Sequence, residues 1–130
     1  DAVELAAGRH WQTWIQDIPW VALGLLVVAL ALLTARPARG SIHAARLLAI
    51  AVVLFALIGV YKHVDANHES GPLDFRYGET WDSMSAASQW WKAASGGVGP
   101  SPVVAPLALA NGAALVLAAT LRHPALRPLT

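Results

Sequence analysis

Three apolar blocks without a charged side chain, residues 18–35, 47–61 and 93–121, constrain this chain more than any other feature. A helix needs roughly 20 apolar residues to cross about 30 Å of hydrocarbon, and the first and third blocks meet that length. The second is shorter, but Arg46 and Lys62 at its ends have long stems that reach toward each interface, so a helix over residues 42–63 completes a span. A chain of 130 residues with 56% hydrophobic and only 13% charged residues stands far from the soluble average of roughly a quarter charged. A soluble core of this size has no room for so much apolar surface. The chain therefore reads as an all-α membrane protein with three transmembrane helices, at 18–35, 42–63 and 101–121.

The first block lies where a secretory signal would, but the basic stretch that opens a signal is missing, because Asp1, Glu4, Arg9 and Asp17 precede it. The chain opens on Asp1 rather than Met, which leaves room for a preceding signal peptide or further helix. With no cysteine there is no disulfide framework, thiol nucleophile or iron–sulfur site, and nothing marks the redox compartment.

Basic residues in short loops stay on the cytoplasmic side, and acids contribute little to that rule. The link carrying Arg36, Arg39 and Arg46 and the tail of residues 122–130, with Arg122 and Arg127, contain no acid. Both are placed inside, which puts the N-terminus outside and the C-terminus in the cytoplasm. All eight acidic residues, all six Trp and both Tyr then gather at or beyond the outer interface. There an amphipathic ring can bury its body and hydrogen-bond through its N–H or O–H.

That outer layer has three parts. From Thr80 onward Trp81, Met84, Ala87, Trp91 and Ala94 recur at helical spacing, with Asp82, Ser85, Gln89 and Lys92 on the opposite face. Thr80 is the expected N-cap, with Asp82 suited to the first turn. This predicts an outer interfacial amphipathic helix over residues 80–95, flat on the membrane and ending at Gly96-Gly97. Residues 1–16 form a second amphipathic stretch, with Val3, Ala7, Trp11 and Trp14 on one side. Residues 64–79, which include Gly71-Pro72 and Gly78, read as an outer loop. After the breaker segment from Gly96 to Pro102, the third span begins near Ser101, where a proline's missing N–H is tolerated, and Pro106 can bend it.

The densest cluster of potential ligands, from Lys62 to Glu69, lies at the outer end of the second span. Imidazole and carboxylate together suit Zn²⁺ or Cu²⁺, and His63, His68 and Glu69 are the candidate metal ligands. His63 and His68 are five apart, so a helix does not place them on one face. A structural role is the better reading. His63 and Asn67, four apart, can cap the helix, hydrogen-bond the third span or hold part of the following loop. Haem ligation lacks a second His inside the other spans. No cofactor is expected, with a metal ion as the alternative.

Asn111 is the one strongly polar side chain deep inside a predicted span. An amide in lipid leaves its hydrogen-bonding groups unsatisfied, so it should face protein or a cavity. Ala110, Ala114 and Ala118 recur every four residues beside it and let another helix approach closely. These four are the candidate helix-packing residues. An intramembrane acid for a proton relay, a polar transport lining, a nucleophile elbow, a phosphate loop and a zinc-protease motif are all missing. No basic patch suits nucleic acid. Asp65, Glu69 and Asp74 are acids on the outer face, but nothing in their spacing orients them for acid–base work. No catalytic residue is assigned.

His63 with Asn67, the Trp-rich segment, Gly99-Pro100 with Ala105-Pro106, and Leu121-Arg122-His123-Pro124 together give the second half of the chain a likeness. It resembles a loosely defined group of small multi-pass bacterial inner-membrane proteins. The resemblance implies a bacterial inner (plasma) membrane location and brings no activity. The expected function is that of a non-catalytic membrane protein, an accessory or structural subunit of a larger membrane complex or a homo-oligomer. Its expected partners are the lipid bilayer and other membrane subunits or itself. The alternative is an outer-face metal or cofactor binder using His63, His68 and Glu69.

Overall fold

A computed structural model describes residues 14–35, 38–121 and 123–126, and every regular element among them is helical. Of the N-terminal stretch expected at 1–16 only residues 14–16 are described, and of the tail expected at 122–130 only residues 123–126, which include a 3-10 turn at Pro124–Leu126. Two helices are long and apolar enough to cross a membrane. The first, α1 (Ile18–Ala35), coincides with the first apolar block and follows a 3-10 turn at Trp14–Asp17. Pro19 sits in its first turn, where the absent N–H leaves no bond unmade.

The second, α2 (Arg39–Glu69), runs for 31 residues without interruption. It exceeds the expected 42–63 at both ends. Its polar C-terminal part stays helical with an ion pair between Lys62 Nζ and Asp65 at 3.1 Å, and Asn67 and His68 are packed against the segments that follow. It stops at Ser70-Gly71-Pro72, because the ring of a proline disfavours helix in the residue before it. The loop expected at 64–79 therefore begins only at Ser70.

The third apolar helix forms only over Leu107–Leu121, 15 residues, instead of 101–121. At roughly 1.5 Å per residue it is about 22 Å long. Residues 101–106 make turns, with the Ala105 N–H on the Pro102 carbonyl at 3.0 Å. Pro106 has no N–H for the helical ladder and disfavours helix at Ala105. Among the described residues two helices, rather than the expected three, have the length of a span.

The chain forms two compact units. The first comprises residues 1–57 and 106–130. Here α1, the first part of α2 and Leu107–Leu121 meet along a seam of small side chains. It consists of Ala22, Ala29 and Leu33, then Ile42, Ala45, Ala49 and Val52, then Leu109, Ala113 and Val116. The steps of three, four and seven place each set on one helix face, and alanine lets the backbones come close. Away from the seam the helices are apolar and exposed. Only 17% of the apolar window of α1 and 22% of that of α2 is buried.

One polar lock closes this seam. Arg46 donates from Nε to Thr120 Oγ1 at 2.8 Å and from Nη2 to the Thr120 carbonyl at 2.6 Å. That carbonyl lies in the last turn of its helix, where the backbone has no helical partner, and the guanidinium meets the negative end of the dipole. Thr120, fully buried, gives its own proton to the Leu117 carbonyl at 2.7 Å. Arg46 therefore does not simply reach for the interface, as the sequence reading has it, but caps a helix 74 residues away.

Candidate functional site

The second unit, residues 58–105, holds the candidate metal ligands. It contains the end of α2, a 3-10 turn at Gly71–Leu73, the short helix α3 (Gly78–Trp81), α4 (Ala86–Ala94) and the turns that follow. The single helix expected over 80–95 is broken at residues 82–85. Ser85, extended at φ −63° and ψ 147°, caps α4, its hydroxyl accepting the Ser88 N–H at 3.3 Å. Serine competes with the helix in this way wherever its oxygen can take an orphan N–H. The expected cap, Thr80, instead bonds back to the Tyr77 carbonyl at 3.2 Å, and Asp82 ends α3 rather than opening a helix. The helix of Leu107–Leu121, in the first unit, is α5.

Asn67 is the centre of the second unit and is fully buried. Its amide donates to the carbonyls of Ala93 at 3.2 Å and Ser101 at 3.0 Å, and its Oδ1 accepts the Ser101 N–H at 2.8 Å. The side chain thus ties α2 both to the end of α4 and to the residue where the third span was expected to begin. Gly99 lies against it at φ 75°. A Cβ there would overlap the Asn67 carboxamide, so the position demands glycine on two counts.

Around this pin sits an aromatic cluster. Trp81, 3% exposed, packs with Ala93 and Val98, flanked by Val64, Tyr77 and Met84. Its indole lies directly on Gly71, leaving no room for a Cβ there. The Trp81 carbonyl, freed where α3 stops, accepts from Gln89 Nε2 at 2.7 Å. His68 stacks on Trp90, with centroids 4.2 Å apart and planes 17° apart, and meets Trp81 edge-on at 5.5 Å and 67°.

That arrangement bears on the metal candidates. His68 lies between two indoles, Glu69 is exposed, and His63 is half-buried with Nδ1 sealed from solvent. Among the described residues, no group of three or more His, Asp or Glu side chains comes together as a metal would require. The acids are separately engaged as well. Asp65 pairs with Lys62. Asp74 accepts from Arg76 Nε at 3.1 Å, Nη2 at 3.0 Å and the backbone N–H at 2.9 Å. The Arg76 side chain first, and then its N–H, hold the Asp74 carboxyl below the usual carboxylate range.

Arg76 also lies near the rings of Phe75 and Tyr77, and Lys92 Nζ stands 3.9 Å from the Tyr77 centroid. An open cleft of about 520 Å³ is lined by Pro72, Asp74, Phe75, Arg76, Gly78, Glu79 and Thr80. Its cation is already matched by Asp74, and its other acid, Glu79, is exposed.

In α5 the expected packing residues divide. Ala110 is half-buried, while Asn111, Ala114 and Ala118 are exposed on the side away from Leu109, Ala113, Val116 and Thr120. The alanine ridge beside Asn111 therefore faces out of the bundle, and a different alanine row builds the seam. Sequence reasoning missed Thr120 as the partner of Arg46 and Gly71 as the seat of Trp81. Only the Gly-Pro breaker at 71–72 and the position of Arg46 at the edge of the second charge-free block hinted at either. The chain matches no family model, no curated protein and no solved structure.

Proposed function

We propose that this chain is a small non-catalytic integral membrane protein that works by packing, as an accessory subunit of a larger membrane complex or as a homo-oligomer. The observation that carries this reading is the outward placement of Asn111 on α5. An amide left unpaired in hydrocarbon costs roughly 2–7 kcal/mol. A neighbouring helix laid over this face would remove that cost, and Ala114 and Ala118 on the same face would let its backbone come close.

The surroundings follow from the low burial of α1 and α2, since a core helix of a soluble domain is mostly enclosed, whereas these expose an apolar surface. In this reading residues 101–121 make a third crossing, part turn and part helix. The arginine-rich link and tail lie in the cytoplasm and the second unit lies outside. The resemblance noted above favours a bacterial inner membrane.

Native mass spectrometry of the protein in nanodiscs drawn from its own membrane tests the reading. A self-assembled or mixed complex is expected, and Asn111→Leu should weaken it. A lipid-solvated monomer at cellular abundance, unchanged by Asn111→Leu, would overturn it.

A further inference from the structure

The polarity of α4 is inside out for a helix on a water-exposed unit. Gln89 and Lys92 turn inward, onto the Trp81 carbonyl and the Tyr77 ring, beside fully buried Ala93. Ala87, Trp90, Trp91 and Ala94, at positions i, i+3, i+4 and i+7, are exposed, and Trp91 is 73% exposed. A surface helix in water shows the opposite arrangement. We infer that this outward face lies in the headgroup–acyl boundary of the bilayer, an inference that rests on the membrane reading above.

Depth favours lipid as the occupant. The end of α4 is tied to α2 at Asn67, and Trp90 is stacked on the next residue, His68. Asn67 is six residues beyond Tyr61, the last residue of the second charge-free block, or about 9 Å of helix. The headgroup layer is roughly 5–7 Å thick on each side of the hydrocarbon. Interfacial helices bury their apolar face about 5–10 Å into that boundary. Asn67 itself thus stands about 2–4 Å beyond the headgroup layer, a gap that the roughly 5 Å radius of a helix with its side chains can span. Its exposed side also carries two indoles, whose apolar body and N–H suit that boundary better than any other side chain.

The cysteine-free chain permits a direct test by spin labelling of the full-length protein in phosphatidylethanolamine–phosphatidylglycerol vesicles. Nitroxides would be placed singly through Ala87→Cys, Trp91→Cys and Ala94→Cys, with Ser83→Cys as a loop reference. Val27→Cys and Leu54→Cys, at exposed positions of α1 and α2, report on the spans. Collision with dissolved oxygen should exceed collision with a water-soluble nickel chelate at 87, 91 and 94, and the order should reverse at 83. Nickel access at 87 and 94 equal to that at 83 would overturn the inference. So would exclusion of both reagents, which would mean a protein cover instead. Labels at 27 and 54 separate the two failures. If they remain in lipid while α4 is aqueous, only the α4 assignment falls. If they too meet nickel, the membrane reading falls with it.

Discussion

The two units of this chain are held together by opposite means. In the bundle, helices meet on alanine, and one side chain, Arg46, supplies a polar lock at Thr120. In the second unit very little is aliphatic. A buried amide, two glycines under larger groups and a stack of rings fix the chain. The difference fits the surroundings proposed for each, lipid for the bundle and water for the second unit. Apolar helices in lipid gain little by hiding from it and associate through close packing, whereas a short irregular segment must satisfy its backbone groups one by one. The first arrangement spreads stability along a seam, and the second concentrates it in a few bonds.

The contrast can be broken most sharply at Asn67. Asn67→Ala removes three hydrogen bonds and leaves the buried Ala93 carbonyl and the half-buried Ser101 backbone without that partner. Gly99→Ala forces a side chain into the same space at positive φ. Each should destabilise the second unit by about 2–4 kcal/mol. Hydrogen exchange within residues 70–105 should accelerate while the amides of α1 and α5 keep their protection. Equal loss in both units would mean that they unfold as one.

A smaller effect is expected in the bundle. Arg46→Met removes the cap on Thr120 and should cost about 1–3 kcal/mol, read as a lower midpoint in mixed-micelle unfolding. The near-ultraviolet signal of the Trp81, Trp90 and His68 cluster should persist. Collapse of that signal first would mean that the loss of the Arg46 cap is not confined to the bundle.

The smallest effect is one of pH. The folded carboxyl of Asp74 is lowered by Arg76, so its contribution is fully present above the unfolded value of about 3.9 and disappears as pH falls through the still lower folded value. Amide protection at residues 71–78 should therefore fall on strong acidification. Arg76→Ala should flatten that dependence.

The apolar helices were legible because charge-free runs and a hydropathy shift are local properties. So was the involvement of Asn67, whose spacing from His63 marked it as a side chain with something to hold. Its partners were not legible, since the Ala93 carbonyl and the Ser101 backbone leave no trace in side-chain identity. The break at 82–85 was hidden for another reason. The amphipathic spacing continues across it, and whether Thr80 or Ser85 serves as cap depends on how Trp81 seats on Gly71. Arg46 and Thr120 are separated by 74 residues, so no window could pair them. The outward face of Asn111 required knowing which row of alanines the seam would choose.

The tether on Arg46 also has a bearing on bilayer thickness. With its guanidinium held at Thr120, this arginine cannot stretch freely to accommodate a deeper membrane. The charge-free run beyond it, residues 47–61, and α5 each comprise 15 residues, or about 22 Å of helix against roughly 30 Å of average hydrocarbon. On the membrane reading proposed above, a bilayer around such a bundle must thin, or the flanking turns must sink into it, and either adjustment carries a small penalty for each ångström of mismatch. Acyl-chain length is then proposed as a control on this protein, with short-chain lipids relieving the mismatch and long-chain lipids loading the Arg46 tether.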